Sequence, residues 1–423
     1  MSVFKVGSNK SSQNNFPSVR PTLDLDFANS KTLDPRITFT RASGGSYYGA
    51  DGLIKLAGVN EPRFDHNPTT GESLGLLVEE ARTNLITYSE QFDNAAWSKS
   101  NATVIANQVV APNGTLTGSL LYPTATSAYT YIQNGWGPIN GYATLSVYAK
   151  SAGKNFLALW RPDFVGGNAW FNLSTGEVAS VSSGTASIVS VGNGWYRCTY
   201  VSTIQSYYAS LIISATDANG SLAVTASGTS GIYIWGGQGE SSPSLGNFPT
   251  SYIPTEASTR TRAADTASIT GKNFSSWYNS SEGSIMMNAK IQEVQNGTTK
   301  QVFIFEGNTS TQRILDVYTF SSNVTYRDFY VDNNGVNGIS VSNFTANVFQ
   351  KFARSYGENS MSAVTAGIVN GTTSTTIPTT IQQLGIFAGI SYGTGFGTAN
   401  GTISRLTYYP KRLPDAQLQV LTR

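Results

Sequence analysis

The 423-residue sequence holds a single cysteine, Cys198, and a single histidine, His66. One thiol forms no internal disulfide, and one Cys with one His cannot furnish a tetrahedral metal site of the Cys/His kind. A Ser-His-Asp arrangement would have to use His66, which lies in the turn-rich run FDHNPTTGE and reads as a solvated loop histidine. Charge is also scarce. Asp, Glu, Lys and Arg make up 12% of the chain, net +2, where roughly 25% is usual for soluble domains. No Lys/Arg block stands out, which argues against a nucleic-acid groove, because phosphates are met by clustered cations. No apolar run approaches the length of a membrane span, so membrane insertion is not expected. The N-terminus, MSVFKVGSNKSSQNNFP, lacks the basic-then-apolar pattern of a secretory signal, and synthesis in a cytosol is the expectation.

Catalytic patterns are missing as well. There is no Glu-x-Asp-x-x-Glu strand motif of the kind glucanases carry, and no strand–turn–helix unit to hold a phosphate loop. Glu79 and Glu80 are adjacent, but adjacent strand residues point to opposite faces. They therefore cannot flank one glycosidic bond as a glycosidase pair does. Carboxylates paired from separate strands are not visible in one sequence. Asp332, Asn333 and Asn334 form the densest oxygen cluster, a candidate for calcium. Asn334 also opens an Asn-Gly pair, so the run reads as a turn. No enzyme activity, cofactor or metal is expected.

What is abundant is glycine, with 42 residues, and aromatic side chains, at 12%. Ten Asn-Gly pairs, from Asn113-Gly114 to Asn400-Gly401, punctuate short alternating runs. Asn-Gly supplies the positive φ that tight hairpin turns need, so the expected fold is all-β with many antiparallel hairpins. Residues 1–80, polar at first and then irregular, look too short to hold their own core and read as an attachment or oligomerisation segment. Residues 81–256 contain ATLSVYAK, NFLALWRP, GWYRCTYV, YASLIISA and GIYIWGGQ, strands suited to a jelly-roll-like sandwich of two antiparallel sheets. Cys198, Trp195 and Trp235 fall in these runs and read as core. The Pro/Ser/Thr-rich run 248–265 reads as linking chain, with 257–265 as the linker proper. Residues 266–423 repeat the strand pattern as a second sandwich and end in a short helix near Pro414.

A saccharide offers an apolar C–H face and a rim of hydroxyls, matched by aromatic rings beside polar side chains. Trp136 sits in NGWGPING, which reads as a loop. Trp160 and Trp170 bracket a loop that holds Arg161, Asp163 and Asn168. These six residues are the glycan-binding candidates. The competing reading is a subunit interface, where Trp, Tyr and Arg are likewise enriched.

Two long runs carry a family resemblance: LDPRITFTRASGGSYYGADGLI through EPRFDHNPTTGESLGLLVEEARTNLITYSEQFDNAAW, and YIWGGQGE followed by PTSYIPTEASTRTRAAD. Together they resemble a recurrent module of bacteriophage head-spike and tail-fibre proteins. The segment between them resembles a carbohydrate-binding-module-like jelly roll. GIVNGTTS, QQLGIFAG and GTISRLTYYPKRLPDAQLQVLT look like the close of a concanavalin A/laminin-G-like sandwich. The resemblance implies a virion appendage exposed on the particle and touching host-surface glycans. It also implies that residues 1–80 contact other virion proteins, and that the assembly is a homotrimer. A purely structural decoration or connector, and a polysaccharide depolymerase, are the alternatives. Removal of residues 1–80 is expected to leave the later domains folded.

Overall fold

The computed structural model describes residues 16–126, 129–160, 167–242, 248–292, 298–309, 311–321, 324–333, 336–341, 345–387 and 397–423. Strands dominate, and the described helices are the short Phe27–Ser30, Gly271–Ser275 and Asp415–Thr422. The expected all-β architecture is what the chain adopts, as two sandwiches built almost wholly from antiparallel pairs.

The C-terminal sandwich packs two 8-stranded sheets on one core. One sheet runs Ile368–Thr373, Ser360–Thr365, Phe349–Gly357, Gly283–Ile291, Gly401–Tyr409, Ser73–Val78, Arg63–His66, with Leu23–Asp26 also on Gly401–Tyr409. The other runs Thr38–Thr40, Thr266–Thr270, Gln383–Ile386, Thr298–Glu306, Gln312–Ser321, Val324–Asn333, Val336–Val341. Strands from residues 1–80 thus lie in both sheets. Leu23, Leu25, Phe27, Phe39, Leu76 and Val78 are buried in the same core as Ile285, Phe303 and Leu406. This corrects the reading of residues 1–80 as a separate segment. It lacks a core of its own because its apolar residues complete the core of the last 160 or so residues, and removing it would strip strands from both sheets.

The jelly roll is inserted between Ser73–Val78 and Thr266–Thr270. Its 10-stranded sheet folds into two layers because Tyr131–Ala152 and Tyr196–Thr216 run through both. The first part of Tyr131–Ala152 pairs with Ser98–Ser100 and its last part with Gly231–Ser242. Tyr196–Thr216 likewise pairs first with Thr185–Ser190 and then with Phe156–Trp160. Leu145, Val147, Leu157, Phe171, Cys198, Ile213 and Ile234 fill the space between the layers. Burial pushes the Cys198 thiol well up, leaving it an inert packing group, and Trp195 and Trp235 are buried as expected.

Several Asn-Gly pairs are not hairpins. Asn134-Gly135 and Asn140-Gly141 lie inside Tyr131–Ala152, where register shifts occur at Trp136/Pro138 and Ile139/Gly141, and Gly141 has φ 110. The positive φ serves a bulge that bends a long strand between layers. Asn337-Gly338 and Asn370-Gly371 also lie within strands, and Asn296-Gly297 and Asn334-Gly335 fall outside the described residues.

The 257–265 run is not a free linker. Arg260–Arg262 pairs with Arg82–Asn84, and Arg262 and Asp265 are buried. At this junction Arg63 reaches Glu79 (2.7 Å) and Asp265 (2.5 Å), Arg41 reaches Asp265 (3.0 Å), and Arg262 lies 3.4 Å from Glu79. Glu80 turns the other way, to Arg82 (2.7 Å) and Lys300 (2.6 Å). Burial alone would raise the Glu79 carboxyl, but Arg262, Arg63 and hydrogen bonds from Ser251 hold it down at about 2.

His66 is in the strand Arg63–His66, only 5% exposed, its Nδ1 bonded to the Tyr48 carbonyl at 3.0 Å. It is not the solvated loop residue expected, because the hairpin of Gly45–Tyr48 and Ile54–Ala57 packs over it.

Asp65, beside it, accepts from the Tyr48 N–H at 2.7 Å and lines a junction cavity of about 130 Å³ with Tyr148, Arg197 and Tyr252. Burial, and then the Glu79 charge, raise its carboxyl to about 6. The folded state therefore keeps a proton that the unfolded chain releases, and stability falls as pH rises from about 4 through 6. The full effect is at most about 3 kcal/mol, reduced by residual solvent contact. Asp65→Asn keeps the acceptor for Tyr48 and removes the charge. It should raise the thermal midpoint at pH 8 and leave it nearly unchanged at pH 4.5, as read by calorimetry.

Candidate saccharide-binding face

Strand register sorts the candidate aromatics. Ala158 pairs with Trp170 and with Ser214, and Trp160 pairs with Asn168 and with Ile212. Paired residues share a face, and the alternate residues Leu157, Leu159, Phe171 and Ile213 enter the jelly-roll core. Trp160, Asn168 and Trp170 therefore lie together on the outer face of one layer. Outward positions of a sandwich are ordinarily polar. Here they carry an apolar cluster of Trp160, Trp170, Ala158 and Ile212, with Tyr131 and Leu222 packed against it.

The two tryptophans are not free platforms. Trp160 is 5% exposed and Trp170 6%. The Trp160 Nε1 donates to Ser214 Oγ at 2.9 Å, and the Trp170 Nε1 to the Ser221 carbonyl at 3.4 Å. The chain after Thr216 is drawn over them by Asp217, which is ion-paired to Lys154 and accepts from the Thr225 N–H at 2.6 Å. Burial raises the Asp217 carboxyl, but these hydrogen bonds outweigh it and lower it overall. Loop aromatics exposed for stacking were expected. The strands instead place both indoles as the floor of the face.

Among the described aromatics of this face, the exposed one is Tyr129, at 47%. Its ring centroid lies 6.2 Å from that of Trp160, and Tyr131 meets Trp160 edge-on at 5.3 Å. Polar groups border the rings. Gln133 Nε2 donates to Ser210 Oγ at 3.0 Å, and the partly exposed Asn168 exchanges hydrogen bonds with Ser182. The signal for Tyr129, Tyr131 and Gln133 was their alternation against the buried Ile132 in YTYIQ.

Trp136 does not join them. It lies in the strand Tyr131–Ala152, not in a loop, and packs half-buried against the jelly-roll core on the other face. A Cβ on Gly239 would sit 2.6 Å from its Cη2, so that glycine makes room for the indole. Arg161 and Asp163 lie outside the described residues. Asp332 pairs with Arg313 at 3.2 Å at the end of Val324–Asn333, and Asn334 is outside the described residues. Among the described residues, no group of three or more His, Cys, Asp or Glu is arranged to hold a metal ion.

No protein-family model and no curated protein matches the sequence. Among solved structures, the chain is similar to the CBM40 of the Ruminococcus gnavus IT-sialidase bound to α2,3-sialyllactose, with 14% identity, 36% of this chain and 88% of that one covered, and TM-score 0.31. It is similar to the NanB sialidase of Streptococcus pneumoniae at 11% identity, covering 37% of this chain and 26% of that one, TM-score 0.31. The receptor-binding domain of botulinum neurotoxin mosaic serotype C/D gives 9% identity, 37% and 39% coverage, TM-score 0.29. Likeness at this level carries no functional argument.

Trp160 supports the face from below, so Trp160→Ala should lower unfolding stability by about 3–5 kcal/mol, the range for truncating a buried aromatic. Chemical denaturation of the full chain reads this directly.

Proposed function

We propose that this chain is an adhesive virion appendage, of the phage fibre or spike kind, that contacts host-surface glycans without cleaving them. The observation that carries the binding part is the outward aromatic face of the jelly roll: Tyr129 exposed, Tyr131 and Trp160 beneath it, amide and hydroxyl groups around it. Rings of this kind match the C–H face of a sugar, and neighbouring amides match its hydroxyls. The virion part, with other virion proteins as partners and three chains per assembly, is supported by the sequence resemblance. The non-cleaving part is supported by the missing Glu-x-Asp-x-x-Glu motif and, among the described carboxylates, by the pairing of Glu79, Glu80, Asp265 and Asp316 with arginine or lysine; Asp65, raised to about 6 at the junction cavity, is the exception.

A structural role between chains has its own supporting observation. Leu56 and Val59 stand 66% and 62% exposed on and beside the hairpin strand Ile54–Ala57. Neighbouring apolar side chains left in solvent are a mark of contact surfaces, and this patch suits the trimer contact.

Tyr129→Ala tests the binding face. Because the ring is exposed, its loss should change stability by less than about 0.5 kcal/mol. It should weaken glycan binding about tenfold, the factor that roughly 1.4 kcal/mol of ring contact provides. A glycan array probed with the full chain and the variant, alongside an assay for reducing-end release, reads both. Unchanged binding in the variant removes the face from the account, and multiple-turnover release removes the non-catalytic reading.

A further inference from the structure

The C-terminal sandwich has an outward-facing groove of about 430 Å³ on its second sheet, between Thr298–Glu306, Gln312–Ser321 and Val324–Asn333. Its volume lies within the range of roughly 300–1,000 Å³ usual for small-ligand sites. The alternate residues of these strands, Phe303, Phe305, Ile314, Tyr318, Phe329 and Val331, fill the core. The groove residues are therefore on the side of the sheet away from the core, where polar residues are the rule. Its floor is nevertheless apolar: Leu315 and Val317 cluster with Ile304, and Tyr330 packs on them.

Register defines the rim. Arg313 pairs with Asp332, Leu315 with Tyr330 and Val317 with Asp328. Tyr330 also faces Gly338 on the next strand, where an added Cβ would lie 2.7 Å from its Cε1. The tyrosine ring occupies the space of the missing glycine side chain, so it lies along the sheet instead of standing off it. Burial, then the Asp328 charge, push its phenol up to about 12, and the hydroxyl stays a donor across the ordinary pH range. Asp328 accepts from Ser340 at 2.7 Å, and Arg313 meets Asp332 at 3.2 Å while its Nη1 has no hydrogen-bond partner.

We infer that this groove is a second binding site, for a neutral saccharide of one or two rings. The inference deepens the adhesion reading above and rests on it for the ligand class. Tyr330, lying over the buried Leu315 and Val317, receives the C–H face, and Asp328 and Arg313 meet hydroxyls, with Asp332 holding Arg313 from behind. Charge sets the preference. Arg313 and Asp332 neutralise each other, leaving the Asp328 carboxylate, which repels an acidic sugar. One chain would then hold saccharide through both sandwiches, and two weak sites on one molecule reinforce each other where the spacing allows.

Saturation-transfer NMR on the full chain tests this, with lactose, cellobiose, maltose and chitobiose as neutral probes and 3′-sialyllactose as the acidic one. At least one neutral probe should bind, and its affinity should fall about tenfold in Tyr330→Ala and in Gly338→Ala, which drives a methyl group into the ring. Tyr330→Phe should retain most of it. Tyr129→Ala should retain the component lost in Tyr330→Ala, and 3′-sialyllactose should not compete for it. Thermal midpoints are measured for every variant, and Gly338→Ala alone is used if Tyr330→Ala is not folded. Binding of no neutral probe, or neutral binding untouched by the Tyr330 and Gly338 substitutions, overturns the groove. Loss in Tyr129→Ala alone overturns the groove and leaves the jelly-roll face standing. Loss in Tyr330→Ala alone supports the groove and counts against that face.

Discussion

The buried arginine–carboxylate cluster at the junction is what the rest of the structure depends on. The chain leaves the C-terminal sandwich at Val78, passes Glu79 and Glu80, builds the jelly roll, and returns through Arg262 and Asp265. Arg41, just after Thr38–Thr40, and Arg63, in Arg63–His66, close the cluster from the side. Desolvating so many charges is expensive, and removing one partner of such a set typically costs about 3–5 kcal/mol, because the remaining charge is stranded. The surrounding backbone is shaped to fit: a Cβ on Gly45 would lie 3.2–3.3 Å from atoms of Arg41, Arg262 and Arg63. Glycine there lets three long side chains converge where any other residue would push them apart. Entry strand, exit strand and N-terminal hairpin are thus held by one polar knot.

That knot gives the two sandwiches a fixed common base, and each then turns one unusual sheet face outward. In the jelly roll the face is aromatic, with indoles sealed under the loop that Asp217 draws down and a tyrosine left at the surface. In the C-terminal sandwich it is an amphipathic groove with a tyrosine laid over a glycine. Trp160, Trp170, Tyr131 and Tyr330 rest on strands, so these rings are positioned by register, while Tyr129 lies just ahead of Tyr131–Ala152. Rigid placement lowers the ordering entropy lost on binding, a physical reason for sheet faces to serve as contact surfaces.

Much of the fold was legible because alternation is a local signal. The runs ATLSVYAK, YASLIISA and GIYIWGGQ announce their buried faces, and Cys198, Trp195 and Trp235 sit in the core as their patterns imply. Long-range pairing was not legible. Leu23–Asp26 joins Gly401–Tyr409 through a register that nothing in either run specifies, so residues 1–80 looked detached. The 257–265 run looked like linker because Ser, Thr and Arg normally mark solvent. Its burial comes from carboxylates 180 residues away, which composition cannot reveal. Asn-Gly misled for a related reason: positive φ serves bulges in a bent strand as well as hairpin turns. The candidate site was legible in kind, as aromatic beside polar. The exposed member was not singled out, because Trp136, Trp160 and Trp170 lie in or beside Gly/Pro/Asn-rich runs that look like loops, although all three are strand residues.

Scanning calorimetry of the full chain and its Asp265→Asn variant tests the central role of the junction most directly. The parent should unfold in one transition with equal calorimetric and van't Hoff enthalpies, and the variant should melt lower and in two separated steps. Two independent transitions in the parent, with the variant unchanged in both, would contradict it.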